Sequence, residues 1–513
     1  MTDRIDSVTI VGGGDAGLLA GLALRQLNRD LDVAIVDDFS QPNPQVGKAS
    51  FLEIRSLLHG QLEIDERRFI QEVKPVWKLS AWFRDWCDYP EFQYPFDPGT
   101  KFPGENTPNA VERYYAWYDQ LYRDPDHRTI AEEIVAQGKS PWHFDTQTGE
   151  YDRYDSSAYH LDTDRFNSFL QTLCRERDVS LVDDEIVEVE SDGQRIQRLR
   201  SKRQTYESDL YVDATGFSRA LRSELPGEFE DFPIPLDKAC TVNVERPLSD
   251  VVPATIVDSG EYGWYWGIDT YDHRDLGYVF ASDYVSDEDA KAEFVEHWED
   301  DLAQWDATID PDDVLIYEFD SGYYKPSWQG NCVPIGNSAG FMEPLQAPAL
   351  TTNAKAAVKL STLLSAHGRY ESEQIKDSFN AWVSDAWESI YDFITIHYRY
   401  SSGDNEFWQA MQDIPISRRI ELLIEEFDAV GLNRALDPTK THPDVPSFEL
   451  FQPMSFYVIM RNMGATSEFY ETNRFDVSEE FLAEQREIDG ATTDHVDSFL
   501  THEEIYKTVI EAE

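Results

Sequence analysis

The sequence predicts an α/β fold, in which a parallel dinucleotide-binding core carries a mainly β insertion and ends in a C-terminal helical region. Three observations predict it. The chain opens as strand, glycine turn, helix and second strand; residues 235–320 carry period-two apolar patterning; and long amphipathic stretches follow Pro348. A chain of 513 residues is also longer than one hydrophobic core usually organises.

The opening comes first. An apolar run from Ser7 to Val11 leads into Gly12-x-Gly14-x-x-Gly17, then an apolar-rich stretch to Leu27, then a second strand from Asp32 to Val36 that ends on Asp37. Glycines at this spacing allow a tight turn and let backbone N–H groups approach a pyrophosphate at a helix N-terminus. Asp37 stands where a carboxylate accepts hydrogen bonds from ribose hydroxyls. A bare glycine turn is the plainer reading, but strand, glycines, helix, strand and acid in this order favour a Rossmann-type dinucleotide site.

Residues 52–138 mix helix with aromatic-rich loop, Phe166 to Arg177 read as an amphipathic helix, and 179–189 and 195–212 alternate as strands. The β insertion includes Ala239–Val244 and Gly277–Phe280, and helices are expected over 353–366, 374–399 and 416–430. The implied division is a discontinuous cofactor-binding unit (1–235 and 325–370, with an aromatic-rich insertion at 52–160). A β-rich substrate-domain segment (236–324) and a helical cap (371–513) complete it.

Asp and Glu total 98 against 44 Lys and Arg, a formal net charge of −54. Such a surface repels nucleic acid and anionic lipid, so neither is an expected partner. The acid is spread along the chain, as in Glu299–Asp301, Asp310–Asp313 and Glu425–Asp428, which describes a solvated skin rather than a tail. At molar salt the Debye length falls to about 3 Å and self-repulsion largely vanishes, pointing to a salt-adapted cytoplasm; an ordinary acidic protein is the alternative. Cys87, Cys174, Cys240 and Cys332 form neither a disulfide framework nor a metal site. No basic-then-apolar leader and no apolar run of about 20 residues is present, so a soluble, cytoplasmic monomer or homodimer is expected.

Two further segments narrow the reading. Asp209-Leu210-Tyr211-Val212-Asp213 runs into Ala214-Thr215-Gly216, and Cys332-Val333-Pro334-Ile335 runs into Gly336-Asn337. With the opening turn, these resemble the three cofactor segments of FAD-dependent hydroxylases, with Asn337 where Asp is usual. Val46-Gly47-Lys48-Ala49-Ser50 resembles a strap across the flavin, Val-Gly-Glu-Ala-Thr, found in tryptophan halogenases. Tyr159-His160-Leu161-Asp162, Gly263-Trp264-Tyr265-Trp266-Gly267-Ile268, Gly336 through Leu345, and Asp392 through Arg399 with Phe407-Trp408 resemble further parts of the same family, in order over roughly residues 5–470. The Trp-x-Trp and Glu343-Pro344-Leu345 segments are the most specific. Asp269 replaces a Pro of the pattern.

The resemblance implies FAD held by Gly12, Gly14, Gly17, Asp37, Val46, Gly47, Asp213, Gly216, Gly336, Asn337, Phe341 and Leu345, with reduced FAD supplied by a separate flavin reductase. It also implies that oxygen and a halide ion yield hypohalous acid, which a lysine presents to an aromatic substrate. Here the chain departs from the family. The register places Trp82 at the lysine position and Lys78 at an earlier lysine; Lys48, which replaces the strap's Glu, is a further candidate, although a surface lysine paired with acid is the simpler reading. Where the family has Glu-Ser-Thr-Gly, this chain has Gln346-Ala347-Pro348-Ala349, so a carboxylate and one N–H donor for halide are missing. An aromatic or apolar small molecule would bind among Trp82, Phe83, Tyr94, Phe96, Glu343 and Phe456, although each aromatic alone is more simply core. Three functions stay open: halogenation by a rearranged site, oxygenation or dehydrogenation by the same flavin without halide, and a non-catalytic flavoprotein.

Overall fold

The computed structural model describes residues 4–42, 46–96, 128–146, 148–430, 450–451, 453–468, 472 and 479–510. Part of the aromatic-rich insertion (97–127) and part of the cap therefore lie outside the described residues.

The cofactor core is a five-stranded sheet in the order Ser180–Asp183, Asp32–Asp37, Ser7–Val11, Leu210–Asp213, Cys332–Pro334, every neighbour parallel. Parallel strands need covered faces. Helix Asp15–Leu27 supplies one cover, and its residues Gly17 through Leu24 are all buried. Helices Thr163–Glu176 and Pro348–Ala366 pack against it. Gly12 has φ +109°, and a Cβ there would fall 2.1 Å from the Ala214 carbonyl oxygen, so only glycine lets the turn after Ser7–Val11 meet the segment after Leu210–Asp213.

A seven-stranded sheet stands beside this core, ordered Leu315–Glu318, Lys238–Glu245, His273–Phe280, Gly263–Asp269, Ala254–Ser259, Ser80–Arg84, Glu91–Pro95. Its last two strands come from the aromatic-rich insertion rather than from 236–324. Ser80–Arg84 docks parallel on Ala254–Asp258. Side chains alternate between faces. Ala81, Phe83, Val257, Trp264 and Trp266 face the main core and helix Glu373–Arg399. Cys240, Ile256, Tyr265, Tyr278 and the half-buried Trp82 face the other way. There they meet helix Asp287–Ala303 through Ala290, Phe294, Trp298 and Leu302. That helix interrupts a segment expected to be mainly β; its every-fourth-residue apolar stripe was the available signal.

Helices Pro348–Ala366, Glu373–Arg399 and Arg418–Val430 contain the three helical stretches expected after Pro348 almost in full. Near the C-terminus, the Trp77 N–H donates to His502 Nε2 (3.3 Å) and the Tyr506 hydroxyl donates to the Pro75 carbonyl (2.5 Å). Among the described residues, no helix is long and apolar enough to cross a membrane, and no cluster of His, Cys, Asp and Glu is arranged for a metal.

Candidate active site

At the cofactor end, helix Asp15–Leu27 starts at Gly14 without a side-chain cap, and a Cβ at Gly14 would meet nothing within 4 Å. Its first amides are therefore open to an anion. Asp37 Oδ2 accepts the Gly13 N–H at 2.7 Å, placing the acid beside the turn. Gly216 and Gly336 are left-handed, and the Ser338 hydroxyl donates to the Gly216 carbonyl (3.2 Å), joining the two turns; Asn337 lies between. Phe341 meets the exposed Phe217 edge-to-face at 5.0 Å, and Leu345 is buried. Asp213 corrects an expectation. Its Oδ1 accepts from the Thr215 amide and hydroxyl and its Oδ2 from the Leu221 and Arg222 amides, so it shapes the loop rather than facing a ligand. An uncapped helix start, open space at Gly14 and an acid at the end of the second strand fit a dinucleotide.

The strap crosses toward the second sheet. The Val46 carbonyl accepts from the Thr163 hydroxyl (2.6 Å), the Gly47 N–H donates to Asp275, and Lys48 Nζ lies 3.0 Å from Asp15 Oδ1. Lys48 is thus bound to an acid beside the glycine turn.

On the inner sheet face, Glu343 is fully buried. Its Oε2 accepts from the Trp264 indole (2.9 Å) and the Leu345 N–H (3.2 Å), and Oε1 pairs with the Tyr398 hydroxyl (2.7 Å). Burial raises this carboxyl to about 7 against those hydrogen bonds. The Trp266 indole N–H is buried with no partner among the described residues. It reaches across Gly277, where a Cβ would fall 2.0 Å from the indole ring.

Gln346 Nε2 lies 2.9 Å from His397 Nε2. His397 Nδ1 lies 2.7 Å from the Phe393 carbonyl, so that nitrogen carries the proton, and burial lowers the imidazole to about 4. Nε2 is then a lone pair, and the Gln346 amide must donate to it. Gln346 and Ala347 are both left-handed, and Pro348 begins the following helix.

Trp82 is a second correction. It stands on the outer face with its indole donating to Glu91 (3.2 Å), because Phe83 occupies the inner position and alternation turns Trp82 outward. Phe83 stacks on Phe92 (4.7 Å) and on His397 (5.4 Å). Tyr94 approaches Phe393 (5.8 Å), which meets Phe456 (5.1 Å). Lys78 is 1% exposed, its Nζ 5.4 Å from the Phe96 ring centroid, with no hydrogen bond or ion pair among the described residues. Burial alone lowers this amine to about 7. It lies close enough to reinforce the effect of burial on His160, which falls to about 3 and whose Nε2 lies 2.9 Å from the Thr255 hydroxyl. The structure thus groups Phe83, Tyr94 and Phe456 around helix Glu373–Arg399, sets Lys78 against Phe96, and leaves Trp82 and Lys48 elsewhere. His397 and Tyr398 carried no assigned role in the sequence; a histidine and tyrosine side by side in an apolar helix were the only signal. Asp269 is also explained. Burial raises its carboxyl, but Arg274 and Arg246 overcome this and hold it at about 2.

A family model described as tryptophan halogenase matches residues 7–476, so the chain belongs to the tryptophan halogenase family. It is an enzyme of the flavin-dependent halogenase group, with the fold of that group. The chain is 25% identical over 496 residues to the 7-chloro-L-tryptophan 6-halogenase KtzR of Kutzneria sp. (strain 744), covering 89% of this chain and 90% of that one. It is 24% identical to the tryptophan 7-halogenase RebH of Lentzea aerocolonigenes, over 84% and 83%. Among solved structures it is similar to MibH, a lanthipeptide tryptophan 5-halogenase (27% identity, TM-score 0.82, 99% and 94% covered). It is also similar to BrvH, a flavin-dependent halogenase from Brevundimonas sp. BAL3 (25%, 0.79, 98% and 99%).

Proposed function

We propose that this protein halogenates a small aromatic or apolar molecule, using FAD reduced by a separate reductase, oxygen and a halide. The observation that carries this reading is a separation. The strap meets the seven-stranded sheet at Asp275, whereas Phe83 and its stacked His397 stand three strands away. At about 4.8 Å per strand that is roughly 14 Å, too far for direct transfer from a flavin to a ring and suited to a diffusible oxidant.

Gly12, Gly14, Gly17 and Asp37 would hold the nucleotide part of FAD, and Val46, Gly47, Gly216, Gly336, Asn337, Phe341 and Leu345 its flavin end. When bound and reduced, the cofactor would supply the two-electron oxidation by oxygen that turns halide into hypohalous acid. Pro348 offers no N–H, so halide would meet the free amides of Ala349 and Leu350 at the uncapped helix start.

Lys78 would act in place of the lysine absent at Trp82. As a free amine near neutral pH it attacks the halogen of hypohalous acid, forming an N–halogen bond and releasing water. The aromatic carbon then takes the halogen, and the displaced ring proton returns to the amine. Glu343, neutral below about pH 7, would keep Trp264 and Tyr398 in place without setting a charge beside them. Oxygenation without halide is the second reading, favoured by the missing Pro348 N–H. The test is turnover of indole with a flavin reductase and oxygen in molar KBr against halide-free potassium acetate, read by product mass. Bromo-product supports the proposal; oxygen-bearing product in both salts overturns it.

A further inference from the structure

Three consecutive strap residues are tied to three different elements. Val46 is held by Thr163 at the start of a core helix, Gly47 by Asp275 of the seven-stranded sheet, and Lys48 by Asp15 of the first helix. Only the third tie is an ion pair. Its side chains are 26% and 15% exposed, so both are largely withdrawn from water.

Asp15 is an unexpected residue in its place. It is the first residue of the uncapped helix whose amides face the expected diphosphate, and a carboxylate there opposes a second anion. Left alone, it would weaken the binding that the glycine turn is shaped to give. Lys48 lies across from it at 3.0 Å, at the point where the strap passes the turn.

We infer that Lys48 is a positioning residue for the cofactor: its ammonium cancels the charge of Asp15 and latches the strap over the diphosphate end of FAD. Affinity for FAD, not halogen transfer, then depends on it. This rests on the flavin reading above.

The experiment is titration of apoprotein with FAD, followed by flavin fluorescence in 0.1 M and 2 M KCl. Lys48→Met should weaken binding about tenfold and Lys48→Glu about a hundredfold in low salt, and both losses should shrink in 2 M KCl as charge is screened. Lys48→Arg should bind like the parent. Asp15→Asn combined with Lys48→Met should regain most of the lost affinity, which no general folding defect would do. Unchanged affinity in Lys48→Glu overturns the inference while leaving the flavin reading intact. Absence of FAD binding by the unaltered protein overturns both. Full loss of halogenation by Lys48→Met at saturating FAD would make Lys48 catalytic and overturn the positioning role.

Discussion

The Gln346 amide donates to Nε2 of His397 across 2.9 Å, and this fixes which way both side chains face. The histidine has already given its one proton to the Phe393 carbonyl. Gln346→Met should therefore leave a buried lone pair unmatched and lower stability by about 1–3 kcal/mol in chemical denaturation. Gln346→Glu sets a carboxylate against that lone pair, so His397 should titrate well above its present value of about 4, visible by ¹⁵N histidine NMR. An unshifted His397 in that variant would show that residue 346 and Nε2 of His397 do not meet in solution.

Lys78 should make the protein more stable as pH rises. The unfolded lysine holds its proton up to about 10.5, while the folded one releases it at about 7. Between these values the unfolded chain binds more protons, so stability should climb by roughly 3–5 kcal/mol from pH 7 to pH 10.5. Lys78→Met should abolish that component of the rise, be at least as stable at pH 7, and lose halogenation at least a hundredfold. Retained halogenation would remove Lys78 from the mechanism.

Glu343 works in the opposite direction. Its folded value near 7 exceeds the unfolded value of 4.5, so the unfolded chain loses its proton first and stability should fall between pH 4.5 and pH 7. The expected loss is about 3 kcal/mol, and Glu343→Gln should remove it. Urea midpoints at pH 5 and pH 7.5, compared between the two proteins, measure the difference.

Pro348→Thr would restore a backbone N–H at the first turn of its helix. The halide concentration giving half-maximal rate should drop several-fold, with little change in thermal midpoint. An unchanged halide dependence would place the halide somewhere else.

Salt should matter to folding as well. With 98 acids against 44 bases, the urea midpoint should rise between 0.1 M and 2 M KCl as repulsion is screened. A flat response would favour an acidic protein without salt adaptation.

Much of the cofactor half was legible because its signals are local. The glycine turn, Asp37 and the first two strands are set by neighbours within a few residues, and Ser7–Val11 and Asp32–Asp37 appear where the apolar runs put them. The substrate half depends on which strand pairs with which, and sequence spacing does not report that. Ser80–Arg84 lies beside Ala254–Ser259 only in the folded sheet, so the outward turn of Trp82 and the inward turn of Phe83 could not be read from alignment with a motif. Asp213 was misjudged for a related reason. A carboxylate after a strand looks the same in sequence whether it meets a ribose or four loop donors. The Gln346 substitution was visible, but its compensating partner His397 lies 51 residues away.

The bond between Trp77 and His502 spans 425 positions of chain. During synthesis, the strand Val76–Lys78 must wait for 425 further residues before the Trp77 amide finds its partner. Contacts so distant in sequence form late and slow folding. Ribosome-bound chains should therefore carry an assembled nucleotide core for some time before the wall beside the amine is complete. The burial that lowers the Lys78 amine would then be complete only once that distant segment has docked, so until then the amine keeps the proton of an ordinary exposed lysine.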